Sequence, residues 1–90
     1  MTNKSTHRKI IREIHNRWSN GAPFAIWELR DASGTSTSSI TRTLASLVKL
    51  RLVLHRSKGY AAKHYRVNTK AWTNLETVIE AFELARILHT

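Results

Sequence analysis

The sequence contains no cysteine, and this absence excludes both disulfide bonds and thiolate metal sites. Its 90 residues include only three glycines, too few for a glycine-rich loop that binds phosphate groups. No apolar run reaches the roughly 18 residues that a membrane-spanning helix needs. The length allows one small domain over 1–90, because domains typically contain about 50 residues or more.

The sequence also offers little for catalysis. It has only six Asp and Glu, with no carboxylate pair in its basic part and no nucleophile motif. The histidines neither pair on one helix face nor join a carboxylate motif: His7, His15, His55, His64 and His89. A predicted hairpin places His55 opposite His64, but two imidazoles alone rarely bind a metal ion. We therefore expect a protein that is not an enzyme and that holds no cofactor or metal.

Positive charge is abundant and unevenly placed. Fifteen Lys and Arg against six Asp and Glu give a net charge of +9. In 1–72, fourteen basic residues and three acids give +11, whereas one arginine and three acids leave 73–90 at −2. Such an excess favours a polyanion partner. No targeting signal is visible, so we expect a cytoplasmic, nucleoid-associated protein whose polyanion is a nucleic acid.

Apolar spacing predicts two helices in the first part of the chain. Isoleucines recur at steps of three and four over residues 7–19, with Thr6 as the expected N-cap. A short second helix is predicted over 26–32 and ends at Gly34, which tolerates the left-handed conformation at a helix end.

A third helix is predicted within a segment rich in hydroxyl side chains. Nine of the fourteen residues from Ser33 to Ser46 are serine or threonine. Apolar residues nevertheless recur at helical steps: Ile40, Leu44, Leu47 and Leu50. The helix is expected over about 36–50, with Ser36 as its N-cap.

The last part of the chain predicts a hairpin and a helix. Period-two spacing indicates strands over 52–56 and 63–68, with Tyr65 buried in the sheet. The Thr73–Glu76 stretch matches the Ser/Thr-x-x-Glu capping box and should begin a helix that runs to about Leu88.

This order of elements, with its glycine-containing turn, resembles a winged helix-turn-helix protein. The stretch 23–29 is similar to the second helix of small regulators in this superfamily, and 36–44 resembles their recognition helix. Residues 63–67 are similar to the returning strand of the wing, and the resemblance covers about half of the chain. The sequence departs from the family at Arg51, where glycine is frequent, and at Ala25, where a Ser or Thr cap is usual.

The resemblance implies a mainly α member of the α+β class. The expected fold is a winged helix-turn-helix with a three-helix core, a two- or three-stranded β-wing near 52–68 and an additional C-terminal helix. It divides the chain into a DNA-binding core, 1–72, and the last helix, 73–90. The implied function is that of a sequence-specific transcription regulator, with the recognition helix in the major groove and the wing on the backbone or minor groove of DNA.

The candidate DNA contacts are short hydroxyls at the start of the third helix and basic or aromatic residues beyond it. They are Ser36, Thr37, Ser38, Ser39, Thr41, Arg42, Arg56, Lys58, Tyr60, Lys63 and His64. Arg42 is the one long donor on the exposed first two turns of that helix, and arginine reads guanine bidentately. Helix capping alone is the alternative for the hydroxyls, and protection of a strand edge is the alternative for the wing charges.

The last helix contains acids and more apolar surface than one small core can bury. We expect a homodimer formed through Leu75, Val78, Ile79, Phe82 and Leu88. The alternative is that this helix packs wholly on the first one. The tryptophans adjoin apolar stripes and are expected in the core or at an interface: Trp18, Trp27 and Trp72.

Two other functions remain open at this point. A phage or plasmid protein that shapes DNA or assists recombination would have the same size and charge. A winged-helix adaptor would use the basic face to bind an acidic protein. Neither a membrane nor a small-molecule ligand is indicated by the sequence.

Overall fold

The computed structural model describes residues 4–56 and 64–88. Four helices and two strands follow one another along the chain: α1 (Lys4–Trp18), α2 (Ile26–Ser33), α3 (Thr37–Lys49), β1 (Val53–Arg56), β2 (His64–Val67) and α4 (Leu75–Leu88). The expected mainly α, α+β composition with a small antiparallel sheet is confirmed.

One buried apolar cluster joins all of these elements. Helix α1 packs against α2, α3 and α4, and α4 also contacts α3. The largest fully buried side chains of the cluster are Phe24, Phe82, Ile10, Ile11, Ile14, Leu29, Ile40, Leu44, Leu47, Val53 and Val78. Helix α3 also packs against α2 and β1, so three helices and a strand hold it from behind and its remaining face is free.

The two strands form an antiparallel pair in a defined register. Val53 pairs with Val67, and His55 pairs with Tyr65. The expected His55–His64 pair is wrong, because His64 precedes Tyr65 by one residue and pairs with Arg56. Tyr65 is buried, as predicted.

An extended segment before α2 adds a single bridge to the sheet. The Phe24 N–H donates to the Tyr65 carbonyl at 2.8 Å, and the Tyr65 N–H donates back to the Phe24 carbonyl at 2.8 Å. This pair of hydrogen bonds fixes the position of the sheet relative to the start of α2.

Two predicted helix caps are wrong. Thr6 lies inside α1, which already begins at Lys4. At α4 the cap is Asn74, whose Oδ1 accepts from the Thr77 N–H at 2.9 Å, so a simple N-cap one residue later replaces the predicted capping box beginning at Thr73. Asparagine caps helices at least as well as threonine, and the two residues stand side by side.

The turn between α2 and α3 follows its prediction. Gly34 has a φ of 69° and donates its N–H to the Arg30 carbonyl at 2.9 Å, which closes α2. Ala25 precedes α2 without a side-chain cap, but its N–H donates to Glu28 Oε1 at 3.0 Å. Glu28 therefore supplies part of what the missing serine or threonine would have given.

Helix α3 ends on a left-handed residue that is not glycine. Arg51 has a φ of 61° and donates its N–H to the Val48 carbonyl at 3.0 Å, while the Leu52 N–H reaches the Leu47 carbonyl at 2.9 Å. This is a Schellman ending, which normally favours glycine at the left-handed position. The Asn68 side-chain amide donates to the Arg51 carbonyl at 2.9 Å and holds the turn from the other side.

The Arg51→Gly variant is expected to raise the free energy of unfolding by about 0.5–1 kcal/mol, because glycine adopts this backbone conformation without a Cβ clash. Urea denaturation measures the change. Arg51→Ala is the control, since it removes the same charge but retains the Cβ, and it should bring no gain. A less stable glycine variant would show instead that the arginine side chain supports this end of α3.

Candidate nucleic-acid interface

The first turn of α3 is built from short hydroxyl side chains. Ser36 caps the helix, because its Oγ accepts from the Ser39 N–H at 3.2 Å, and its hydroxyl donates to Ser39 Oγ at 3.0 Å. Thr37 and Ser38 are exposed beside them. Ser36 therefore acts as the helix cap, as predicted. Its neighbours Thr37 and Ser38 add short polar side chains at the N-terminus of the helix, where the dipole favours anions.

Helix α3 has two opposite faces. Its buried face contains Ile40, Thr43, Leu44 and Leu47. The opposite face is an exposed strip at helical steps of three and four, and we call it the α3 strip: Ser38, Thr41, Arg42, Ala45 and Lys49. Small residues and two cations make up this strip, so nothing bulky and apolar prevents a close approach to another surface.

Arg42 is the central cation of the α3 strip. It is exposed, and within the parts of the chain that the structure describes it makes neither an ion pair nor a hydrogen bond. Other arginines differ: Arg8 lies 2.9 Å from Glu83 and Arg17 lies 3.0 Å from Glu13. The Arg42 guanidinium therefore retains its whole set of donors for an external acceptor.

The sheet adds a second basic surface. Leu54 pairs with Arg66, so these two residues lie on one face of the sheet, and His64, two residues before Arg66, lies on the same face. Arg66 and His64 are exposed. Of the predicted wing contacts, His64 is thus placed at the surface, and the backbone of Arg56 pairs with it at the end of β1. Lys58, Tyr60 and Lys63 lie outside the described residues.

A buried polar contact fixes α3 to α1. Thr43 donates its hydroxyl to the Ser39 carbonyl at 2.9 Å, so the 3.2 Å contact with His7 Nδ1 requires the imidazole N–H as donor. His7 Nε2 is then a buried acceptor with no partner in the described part of the chain. Burial, aided by the positive charge of Arg86 and opposed by Glu83, lowers the pKa of His7 from 6.5 to about 4. The contact therefore exists with a neutral imidazole.

A stack of rings connects α1 to the sheet. Trp18 stacks on Phe24 with centroids 4.7 Å apart, Phe24 on Tyr65 at 6.1 Å, and Tyr65 on His55 at 4.9 Å. Burial raises the pKa of the Tyr65 hydroxyl. This stack and the Phe24 bridge hold the basic face of the sheet in a fixed position relative to the helices.

The tryptophans have three different environments. Trp72 is buried and donates its indole N–H to His15 Nδ1 at 3.0 Å, and Trp18 packs half-buried on the core. Trp27 is 59% exposed on α2, so of its two predicted places the core is excluded and an interface stays a prediction. The buried residues of α2 are Leu29 and Ser33, and Ile26 packs partly buried against the core. Trp27 remains a surface residue of this chain.

Helix α4 buries most of the residues that were predicted to form a dimer. Val78, Ile79 and Phe82 are at most 6% exposed within the chain itself, so they offer a second copy almost no surface. Leu75 is half-buried against the same core, and the Leu88 side chain lies outside the described residues. The prediction is corrected accordingly: the alternative, packing of α4 on α1, accounts for these side chains. The exposed apolar residues of α4 are Leu84 and Ile87.

Sequence reasoning missed three residues of this surface. Ala45 and Lys49 continue the exposed spacing that begins at Ser38, and Arg66 alternates with the buried Tyr65 and Val67. Both signals were present in the sequence, because helical and strand periodicity specify the outer face as well as the inner one.

Two further features, a metal centre and a membrane-spanning helix, were sought in the part of the chain that the structure describes. No three His, Asp or Glu side chains come together as metal ligands in 4–56 and 64–88. No helix there is long and apolar enough to cross a membrane. No protein-family model matches the chain, and no curated protein matches its sequence. What the surface does must therefore be inferred from its own residues.

Proposed function

We propose that this protein is a sequence-specific, duplex-DNA-binding transcription regulator of the winged helix-turn-helix type. In this proposal α2 and α3 form the helix-turn-helix around Gly34, α3 is the recognition helix, and the β1–β2 sheet is the base of the wing. The observation that carries the proposal is the α3 strip, where an unpaired arginine stands among small residues on the only long face of α3 that the core leaves free.

The dimensions of α3 suit the major groove of DNA. A helix with its side chains measures about 10–12 Å across, and the groove is about 12 Å wide. Small residues such as Ser38 and Ala45 let the helix axis come close to the base edges. Arg42 can then direct two of its guanidinium N–H groups to O6 and N7 of a guanine. The first-turn amides and hydroxyls of α3 would face phosphates.

The sheet supplies contacts that position the protein without reading bases. Arg66 and His64 are exposed on one face, and Lys49 continues the positive charge along α3. Phosphate contacts of this kind fix the orientation of a protein on the duplex. The acids of α4, Glu76 and Glu80, are exposed on a different element and do not favour a phosphate backbone.

Selection from a random duplex pool, followed by titration of the enriched duplex in a salt series, tests the proposal. A sequence should be enriched, and its affinity should fall at least tenfold between about 50 and 200 mM salt, because each neutralised phosphate contributes a slope of about −0.9. Salt-dependent binding without enrichment would favour a protein that shapes DNA or assists recombination. Absence of DNA binding would reject both and favour an adaptor for an acidic protein.

We also propose a homodimer, now through Leu84 and Ile87. These residues are 57% and 70% exposed and lie three residues apart on α4. Two-fold pairing would present two copies of α3 to half-sites about one helical turn apart.

The double variant Leu84→Glu, Ile87→Glu should convert the dimer to a 10.3 kDa monomer by light scattering, since buried carboxylates would oppose the contact. Trp27→Glu is the control, because it places one carboxylate of the same kind at an exposed apolar residue of α2 and should leave the dimer intact. A wild-type monomer, or an unchanged mass for the double variant, would reject the dimer through this face.

A further inference from the structure

The hydroxyl of Thr41 is already in use within α3. It donates to the Thr37 carbonyl at 2.9 Å, so its single proton is not available to a base. The side chain is nevertheless exposed at the centre of the α3 strip. What Thr41 still offers to a partner is its methyl and an oxygen that can accept a hydrogen bond but not donate one.

The neighbours of Thr41 leave this methyl accessible. Ser38 lies one turn before it and Ala45 one turn after it, and both are small and exposed. Arg42, the one long side chain beside it, has no partner among the described residues and can extend away from the strip. A surface placed against α3 can therefore touch the Thr41 methyl directly.

We propose that the Thr41 methyl contacts the C5-methyl of a thymine in the major groove, next to a guanine bound by Arg42. The inference rests on the proposed DNA binding and adds a base preference to it. Thymine is recognisable because its major-groove edge carries a methyl group, and threonine methyls are among the groups that contact it. Excluding water from one methyl changes affinity about fourfold.

The test uses the duplex enriched from a random pool, with thymines replaced one at a time by deoxyuridine, which lacks only that methyl. The wild-type protein should bind about fourfold more weakly when one particular thymine is replaced. Thr41→Ser keeps the hydroxyl and loses the methyl, so its affinity ratio between the two duplexes should fall to about one. Thr41→Val keeps a methyl and loses the hydroxyl, so it should retain the fourfold ratio. Circular dichroism checks that both variants are folded.

The inference is overturned if every deoxyuridine duplex binds like the thymine duplex, or if Thr41→Ser retains the wild-type ratio. A pool from which no sequence is enriched overturns it as well. In the first two cases an enriched sequence with a salt-dependent affinity would still support the proposed function without this base preference. A pool without enrichment would also reject sequence-specific binding, and loss of all DNA binding would reject the proposed function altogether.

Discussion

The Arg42→Ala variant is expected to bind the enriched duplex about 10- to 100-fold more weakly than the wild-type protein. This range corresponds to the roughly 1–3 kcal/mol of discrimination that one bidentate arginine–guanine pair provides. The effect should be this large because the guanidinium has no partner of its own in the described part of the chain, so all of its donors are free for DNA. Fluorescence anisotropy of a labelled duplex measures both affinities.

Two control variants separate base reading from charge. Arg17→Ala removes an equal charge from α1, where Arg17 lies 3.0 Å from Glu13, and it should change affinity little. Arg42→Lys keeps the charge but loses the planar pair of donors, so it should bind random DNA normally and lose most of its preference for the enriched sequence. Equal losses in Arg42→Ala and Arg17→Ala would mean that Arg42 acts only through its charge.

The free energy of unfolding is expected to fall by up to about 3 kcal/mol between pH 6.5 and pH 4 through His7 alone. Burial lowers its pKa from 6.5 to about 4, so across this window the unfolded chain binds a proton that the folded protein does not. Stability is therefore complete above pH 6.5 and declines as the pH falls. The charged groups that face the imidazole are Arg86, which lowers the pKa further, and Glu83, which opposes it.

Urea denaturation at a series of pH values measures this effect. Carboxylates also titrate at the acid end, so the His7→Phe variant serves as the reference. The ring of Phe82 lies with its centroid 4.8 Å from that of His7, and a second phenyl ring fits this apolar contact. Thr43 keeps its own hydrogen bond to the Ser39 carbonyl in the variant. The free energy of unfolding of the wild type, relative to that of His7→Phe, should fall as the pH approaches 4. A difference that stays constant with pH would contradict the burial of a neutral His7.

The elements of this fold could be predicted where neighbouring residues decide them. The apolar spacing of α3, its Ser36 cap and the Gly34 turn all act within one or two helical turns, and the structure confirms each of them. The predicted cap of α4 at Thr73 is wrong, because Asn74 is an equally good cap one residue later. Local rules give the type of element more reliably than its first residue.

Contacts between distant parts of the chain determine which side chains are buried, and local sequence patterns do not predict them. Phe82 looked like interface because its helix is apolar on several sides, but α1 and α3 together provide enough surface to bury it. The sequence gives no sign that His7 is buried, since that depends on Thr43 and Phe82, which are far away along the chain. Arg51 shows the reverse case, where tertiary contacts hold an arginine in a conformation that its own preference opposes.

The most direct test of whether the free face of α3 binds duplex DNA is a titration of isotope-labelled protein with the enriched duplex. Amide chemical shifts are recorded at each step. The largest changes are expected along residues 36–49 and at His64 to Arg66, with little change around Glu76 and Glu80. Changes confined to the exposed apolar residues Trp27, Leu84 and Ile87, or no changes at all, would contradict DNA binding by this face.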